Sequence, residues 1–253
     1  MAETAGVGRV VWHELQSQDV GRSRIFYEEL FGWRVEAPAS TGEPALLRAQ
    51  TAAIGAMTKL PAPFGPTRWI AYVSVSDAQA IAARAVALGC RLIASRDVNG
   101  QRAAILEDAL GARFGLLEGD RDSAGRSDAG RAAEGCFCWD HLYTRSAARS
   151  FALYSELFGW SRQADSQVPA WSWLRLGEAP AAGLVQSTTE VSARWLSCVR
   201  VDDLEAACVR AHRLGGQVLV APTPTTPGLG RFAVLRDPLG AQIAACAWSS
   251  PPA

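Results

Sequence analysis

The sequence predicts an α+β fold of four β-α-β-β-β modules that pair into two domains, and three observations lead to this prediction. A stretch near the N-terminus recurs past the middle of the chain at a constant offset of 127 residues, which indicates a duplicated unit. Segments with the alternating period of a strand precede segments with apolar residues at helical spacing. Each half closes on a turn with Asp first and Gly fourth. Trp12, Tyr27 and Trp33 return as Trp139, Tyr154 and Trp160.

The first module is predicted to span residues 7–60. Residues 10–18 alternate between apolar and polar, as a half-buried strand does. Asp19 is placed to cap a helix over residues 22–30, and Gly32 is placed to end it in the left-handed conformation. Three further strands are predicted at residues 33–36, 45–48 and 54–59.

The second module is predicted to span residues 68–119, after a proline-rich connector at residues 61–66. A strand over residues 69–76 leads to the helix cap Asp77 and to an alanine-rich helix over residues 78–88, which Gly89 ends. Asp108 and Gly111 bound the last hairpin turn. The remaining strands are predicted at residues 91–94, 103–106 and 113–118.

The second half repeats this order after a predicted linker at residues 120–133, which is rich in Gly, Ser, Asp, Arg and Ala and has no aromatic residue. The first domain thus covers residues 7–119 and the second residues 134–249, with modules at 134–187 and 194–249. Asp202 or Asp203 caps the last helix, and residues 222–230 form a loop. The predicted strands are 137–144, 171–176, 182–186, 195–201, 217–220, 232–235 and 242–248, and the predicted helices are 147–157 and the segment ending at Leu214.

Composition excludes several classes of partner. The chain has 253 residues with 25 basic and 25 acidic side chains, so its zero net charge argues against nucleic acid or an anionic membrane as a partner. No basic N-terminal segment precedes an apolar run, and no apolar stretch reaches the length of a membrane span. Six scattered cysteines without a CxxC pair suit a reducing compartment. We therefore expect a cytoplasmic protein, either a monomer or a homodimer, whose partner is a small molecule.

The repeated motif resembles a known superfamily. A capped helix that ends in Phe26-Tyr27-Glu28-Glu29-Leu30-Phe31-Gly32-Trp33, followed by a closing Asp237-Pro238-Leu239-Gly240 turn, is similar to the vicinal oxygen chelate superfamily of glyoxalases, bleomycin-resistance proteins and extradiol dioxygenases. Both halves share the resemblance, as in tandem two-domain glyoxalase-like bacterial proteins, some of which are called hydroxylases. The resemblance implies two curved, cup-like mixed sheets with helices on the convex side and a ligand in the cup.

The resemblance also implies where a metal would bind. Metal enzymes of the superfamily take ligands from the cup side, seven residues before each helix cap and seven residues after the Asp of each closing turn. The positions before the helix caps hold Trp12, Ile70, Trp139 and Leu196, and the positions after the closing turns hold Gly115 and Ala244. Near the third strands of the first and third modules, the corresponding residues are Met57 and Val185. None of these side chains ligates a hard or borderline divalent cation. We therefore expect a metal-free protein without a cofactor.

Alternate residues along the strands give the expected cup linings, which combine aromatic planes with a few polar groups and suit a flat organic ligand. The first lining is Trp12, Glu14, Gln16, Ile70, Tyr72, Ser74, Arg113 and Leu117, and the second is Trp139, His141, Tyr143, Leu196, Cys198, Arg200, Gln242 and Cys246. Glu14 and His141 are the candidate acid/base residues. The candidate ligand-binding residues are Trp12, Tyr72, Arg113, Arg48, Trp139, Tyr143, Arg175 and Gln242.

Structural roles compete with these assignments. Trp12 and Trp139 could fill the space of a lost metal, and the repeated tryptophans at 33, 69, 160 and 195 are expected to pack in the core. Glu14 could pair with Arg113 or Arg48. His141 could be a hydrogen-bonded structural residue, and Arg175 could form a salt bridge.

Two functions therefore stay open. One is a metal-free binding protein that holds a small aromatic or antibiotic-like molecule, as resistance proteins do. The other is an enzyme of the same superfamily, a lyase, isomerase or oxygenase, that uses Glu14 or His141 or a non-standard metal site.

Overall fold

A computed structural model describes residues 7–38, 43–60, 65–98, 101–119, 132–166, 168–187, 193–225 and 230–247. Most of the predicted linker, most of the proline-rich connector and Trp248 lie outside these residues. Among the described helices, none is both long enough and apolar enough to cross a membrane. All six cysteines are free thiols.

The first half contains two β-α-β-β-β modules, as predicted. Asp19 caps α1 through its side chain and Asp77 caps α2, while Gly32 ends α1 at a φ of 69°. The elements are β1 (Val10–Ser17), α1 (Val20–Phe31), β2 (Arg34–Glu36), β3 (Ala45–Ala49), β4 (Ala52–Lys59), β5 (Arg68–Val75), α2 (Ala78–Ala87), β6 (Arg91–Val98), β7 (Gln101–Glu107) and β8 (Arg113–Glu118).

The second half repeats the same order of elements. Its helices are capped by Ser146 and Asp203, which decides between the two predicted caps of the last helix. The elements are β9 (Phe137–Thr144), α3 (Ala147–Phe158), β10 (Ser161–Ala164), β11 (Trp171–Leu176), β12 (Ala179–Gln186), β13 (Arg194–Arg200), α4 (Leu204–Arg213), β14 (Gln217–Pro224), β15 (Arg231–Arg236) and β16 (Gln242–Ala247).

Two details differ from the prediction. Strand β10 is not predicted, because its four residues are all exposed and carry no apolar alternation. Strand β14 continues through Pro222 and Thr223 into the predicted loop. It lies at the edge of its sheet, where a proline does not have to donate a hydrogen bond to a neighbouring strand.

The strands form two mixed sheets, each built from one half of the sequence. The strand orders are β2-β3-β4-β1-β5-β8-β7-β6 and β10-β11-β12-β9-β13-β16-β15-β14. Within each module the first strand runs parallel to the last, as β1 does to β4 and β5 does to β8, and the remaining pairs are antiparallel. The predicted α+β class with four modules in two glyoxalase-like sheets is confirmed.

By spatial proximity the described residues fall into two compact units that do not coincide with the two halves. The first unit takes residues from Met1–Trp12, Ile70–Asp122 and Asp140–Trp195. Its core packs apolar residues of α2 against those of α3. At its centre the Tyr154 hydroxyl donates to Asp108 (3.2 Å) and accepts from the Trp195 indole (3.1 Å).

The second unit takes residues from His13–Trp69, Ser123–Trp139 and Leu196–Ala253 and repeats this arrangement. The Tyr27 hydroxyl donates to Asp237 (3.0 Å) and accepts from Trp69 (2.9 Å). Asp237 also accepts the backbone N–H groups of Leu239 and Ala241, so it closes its own hairpin. Burial raises the pKa of both turn carboxylates, although their hydrogen bonds oppose the shift.

The repeated motif is therefore structural. Its Tyr supplies the buried hydroxyl, and the closing turn supplies the carboxylate that receives it. Trp33 and Trp160 are buried and donate to backbone carbonyls of Gly135 and Gly8, so the predicted core role of these tryptophans is confirmed.

Candidate ligand-binding site

In the first compact unit, alternate residues along a strand face opposite sides of the sheet and pack into separate clusters. Ala71, Val73 and Leu142 join the core against the helices, together with Leu174. Ile70 and Tyr72 belong instead to a separate cluster on the other face of β5. The same alternation places His141 and Tyr143 on the face of β9 that turns away from its helix.

On β5 this outer face is filled by protein. Tyr72 is 1% exposed, and its hydroxyl accepts a hydrogen bond from Arg96 (2.7 Å). Tyr72 pairs across strands with Gly115. A Cβ added at Gly115 would lie 2.2 Å from the Tyr72 ring, so the ring occupies the volume that any larger residue at 115 would need. Trp12 packs against the same cluster.

The outer face of β5 does not fit the metal of the resembled enzymes. Gly115 stands where the resemblance implies a carboxylate ligand, and the ring of Tyr72 covers it. Its counterpart Ala244 is fully buried and pairs with Cys198. Across the described residues, no three His, Cys, Asp or Glu side chains are grouped as a metal site requires.

In the second half, the outer face of β9 and its neighbouring strands carries a group of residues that we call the tryptophan face. It combines aromatic rings with one glycine and one arginine: His141, Tyr143, Trp171, Trp173, Gly183 and Arg194. Strand register sets its layout. Trp171 pairs with Val185, which pairs with Tyr143 on the next strand. Trp173 pairs with Gly183, which pairs with His141. Because cross-strand partners share a face, Gly183 leaves a position without a side chain between Trp173 and His141.

The rings of this face lie close to one another. Trp171 and Trp173 meet edge to face with centroids 4.4 Å apart. His141 lies 6.5 Å from Trp171 and 6.0 Å from Tyr143. The Arg194 guanidinium carbon is 5.2 Å from the centre of the Tyr143 ring, within the range of a cation–π contact.

Two donors on the tryptophan face are buried and unsatisfied. Trp171 is 4% exposed, and its indole N–H has no hydrogen-bond partner in the part of the chain that the structure describes. The same holds for Nε of Arg194. A buried donor without an acceptor is unfavourable by about 1–3 kcal/mol. Such groups are uncommon in folded proteins, and each calls for a partner that a bound water, an ion or a ligand can supply.

His141 adds an uncharged imidazole to this face. Burial lowers the pKa of His141 to about 4, and the nearby Asp140 carboxylate opposes that shift only in part. The ring is therefore neutral near pH 7, so it can accept a proton or a hydrogen bond.

The other predicted site residues lie elsewhere or have structural partners. Arg48 forms an ion pair with Glu36 (2.8 Å) and Arg113 with Glu107 (2.7 Å). Arg175 donates to Gln163 (3.1 Å), and the buried Glu14 accepts from the Thr58 hydroxyl (2.6 Å). Trp139 is 2% exposed. Gln242 has a buried Oε1 without a partner among the described residues.

Sequence reasoning missed four members of the tryptophan face, namely Trp171, Trp173, Gly183 and Arg194. The signal is present in the alternation of β11, where Leu174 joins the core and Trp171 and Trp173, at the alternate positions before it, lie on the other face. Only the register of β11 against β12 and β9 shows that they lie beside His141 and Tyr143.

Comparison with known proteins accords with this geometry. The family model described as "Glyoxalase-like domain" matches residues 12–117 and again residues 136–246. The chain belongs to the glyoxalase-like domain family. The candidate glyoxylase CFP32 of Mycobacterium tuberculosis is 29% identical over 241 residues, which cover 91% of each chain. The anthracycline biosynthesis protein DnrV of Streptomyces peucetius is 30% identical over 264 residues, covering 92% of this chain and 91% of DnrV.

Solved structures show the same fold at lower identity. The Mn(II)-bound glyoxalase from Novosphingobium aromaticivorans superposes with a TM-score of 0.63 at 13% identity, covering 97% of this chain and 84% of that one. Several 2,3-dioxygenases also share the fold. The glyoxalase-like protein is thus a member of the vicinal oxygen chelate superfamily, as the repeated motif indicates.

Proposed function

We propose that this glyoxalase-like protein binds a small aromatic, antibiotic-like molecule on the tryptophan face, without a metal at the positions that metal-binding relatives use. The observation that carries the proposal is the buried indole N–H of Trp171, which has no acceptor among the described residues, within a group of rings that flank Gly183. Rings give a flat ligand stacking surfaces, and a single donor orients it.

Two further observations support an aromatic ligand. Gly183 lies between Trp173 and His141 in the strand register, so no side chain stands between these two rings. The relative DnrV is named for anthracycline biosynthesis, and anthracyclines are flat polycyclic aromatic compounds. The Tyr72 ring over Gly115 supports binding without the metal, because it fills the space of the expected carboxylate.

The test is a ligand titration with a set of planar aromatics, from naphthalene derivatives to a tetracyclic anthracycline, followed by tryptophan fluorescence and melting temperature. A ligand that binds the folded state raises the melting temperature by mass action. We expect Gly183→Val to weaken binding at least tenfold, because a branched side chain enters the position between Trp173 and His141. Ser161→Val, on an exposed strand of the same sheet, is the matched control and should bind as the wild type does.

Two results would contradict the proposal. One is an unchanged melting temperature and fluorescence with every compound of the set. The other is binding that Gly183→Val leaves intact. Metal analysis of the purified protein is the companion measurement, since a stoichiometric Mn, Fe, Ni or Zn content would refute metal-free binding.

An enzyme is the second candidate, and the neutral imidazole of His141 favours it. An imidazole that is unprotonated near pH 7 can act as a general base towards a ligand held beside Tyr143 and Trp171. Glu14 is the second candidate acid/base residue. If a bound compound is converted, His141→Ala and Glu14→Gln should lower turnover while the dissociation constant stays within a few-fold of that of the wild type.

A further inference from the structure

We propose that the aromatic ligand carries an acidic oxygen substituent, and that Arg194 recognises it. This inference rests on the proposed aromatic site and adds the chemical class of the ligand. Its starting point is the charge of the tryptophan face. Arg194 supplies a permanent cation, His141 is neutral, and no Asp or Glu is a member of the face.

Arg194 is held in place without being neutralised. Its guanidinium carbon lies 5.2 Å from the centre of the Tyr143 ring, and its Nε is buried without a hydrogen-bond partner among the described residues. By contrast, other arginines of the fold have partners. Arg48 pairs with Glu36, Arg113 with Glu107 and Arg200 with Asp202. Within the described residues, Arg194 thus lies against an aromatic ring and keeps open donor capacity.

The chemistry of a guanidinium fits an oxygen anion. Its N–H groups form a planar fork that matches a carboxylate, and such charge-assisted hydrogen bonds are about twice as strong as neutral ones. The Trp171 N–H is a second buried donor on the same face, so a ligand that stacks on the rings can satisfy it with a ring oxygen. An aromatic carboxylate meets the requirement of Arg194, and one with a further oxygen substituent on its ring meets both.

The experiment compares two probes that differ only in charge, 2-naphthoate and its neutral isostere 2-naphthamide, by tryptophan fluorescence titration at pH 7. We expect the wild type to bind 2-naphthoate at least tenfold more tightly than 2-naphthamide. Arg194→Gln should remove that preference and leave 2-naphthamide binding within twofold. Arg194→Lys keeps the charge without the planar fork and should retain part of the preference.

Arg149→Gln is the matched control, because Arg149 is exposed on helix α3 of the same half of the chain and should alter neither affinity. Equal binding of the two probes by the wild type would overturn the acidic-ligand inference and leave the aromatic site standing. Binding of neither probe would count against the aromatic site itself, and against the inference with it. A preference that survives in Arg194→Gln would show that another group recognises the acid.

Discussion

The outer faces of β5 and β9 lie in the same compact unit, and each strand is the first of its module. Their side chains are nevertheless arranged in different ways. On β5, Tyr72 covers Gly115 and its hydroxyl accepts from Arg96, so the face is packed and hydrogen-bonded. On β9, His141 and Tyr143 stand beside Trp171, whose indole N–H lacks an acceptor among the described residues. The first face has been converted into core. The second leaves buried donors without acceptors among the described residues.

The difference shows that the absence of the expected metal ligands has different structural consequences in the two halves. In the first half, the Tyr72 ring fills the volume beside Gly115 where the carboxylate ligand is expected. Burying this aromatic side chain stabilises the sheet. In the second half the space beside Gly183 is bordered by rings, and buried donors are left unsatisfied at a cost to stability. A cost of that kind is offset when a ligand supplies the acceptors.

The strongest test of this contrast restores the acidic residue at the first face. Gly115→Glu should destabilise the protein by about 5 kcal/mol, because the new Cβ meets the Tyr72 ring and an unpaired carboxylate is buried. Urea unfolding followed by circular dichroism measures the loss. Ala109→Glu, at an exposed position of the same hairpin, is the control and should change stability by less than about 0.5 kcal/mol.

A double-mutant cycle separates the clash from the buried charge. Gly115→Ala alone should destabilise by about 1–3 kcal/mol through overpacking. Combined with Tyr72→Ala, the same substitution should cost much less, because the ring that it meets is gone. Additive effects of the two changes, or a Gly115→Glu variant as stable as the wild type, would mean that Tyr72 does not close this face.

The second test concerns the pH dependence that His141 adds to the second face. In the unfolded chain the imidazole titrates near 6.5, whereas burial lowers the folded-state pKa of His141 to about 4. Between these values the unfolded state binds more protons, so stability falls as the pH drops from about 6.5 to about 4. The loss should reach about 1–3 kcal/mol, since each pKa unit corresponds to about 1.4 kcal/mol and the residue is partly exposed.

Unfolding free energies measured from pH 7 to pH 4 provide the check. His141→Gln should flatten the curve in this window, whereas His212→Gln, at an exposed position of helix α4, should leave it as in the wild type. A wild-type curve that stays level, or one that His141→Gln does not flatten, would place His141 in water and not on a buried aromatic face.

The fold could be predicted from the sequence because its signals are local and repeated. Asp19 and Asp77 cap helices where the spacing predicts them, and Gly32 and Gly159 end helices in the left-handed conformation. The duplication supplies each signal twice. What could not be predicted was the pairing of Tyr27 with Asp237, 210 residues apart, because no local pattern encodes which turn receives the hydroxyl.

The candidate site was only partly predictable for the same reason. Alternation along β9 placed His141 and Tyr143 on one face, and the structure brings these two together. Trp171 and Trp173 were missed, since their position beside His141 depends on the register of three strands. Because Arg48 and Arg175 repeat, they were predicted either to anchor an anionic ligand or to form a salt bridge, and Arg48 does form an ion pair with Glu36. Each has a nearer partner within its own hairpin region, which repetition cannot reveal.

The smallest expected effect lies in the turn between the third and fourth strands of the duplicated modules, which joins β3 to β4 and β11 to β12. Gln50 has a φ of 53° in the first copy, while its counterpart in the second copy is Gly177 with a φ of 58°. A left-handed conformation is unfavourable for a residue with a Cβ and natural for glycine. Gln50→Gly should therefore stabilise the protein by about 0.5–1 kcal/mol, after the greater freedom of glycine in the unfolded chain is subtracted.

Calorimetry should show this gain as a rise of about 2 °C in the melting temperature. Gly177→Gln is the reciprocal variant and should lose about 1 kcal/mol, because it introduces the same strain into the second copy. Gln50 also lines a cleft of about 400 Å³ together with Glu134 and Arg210. If Gln50→Gly lowers stability, the side chain makes contacts in that cleft that outweigh its backbone strain. The two copies would then differ at this turn because the first copy uses its glutamine, and not because a glycine was lost by drift.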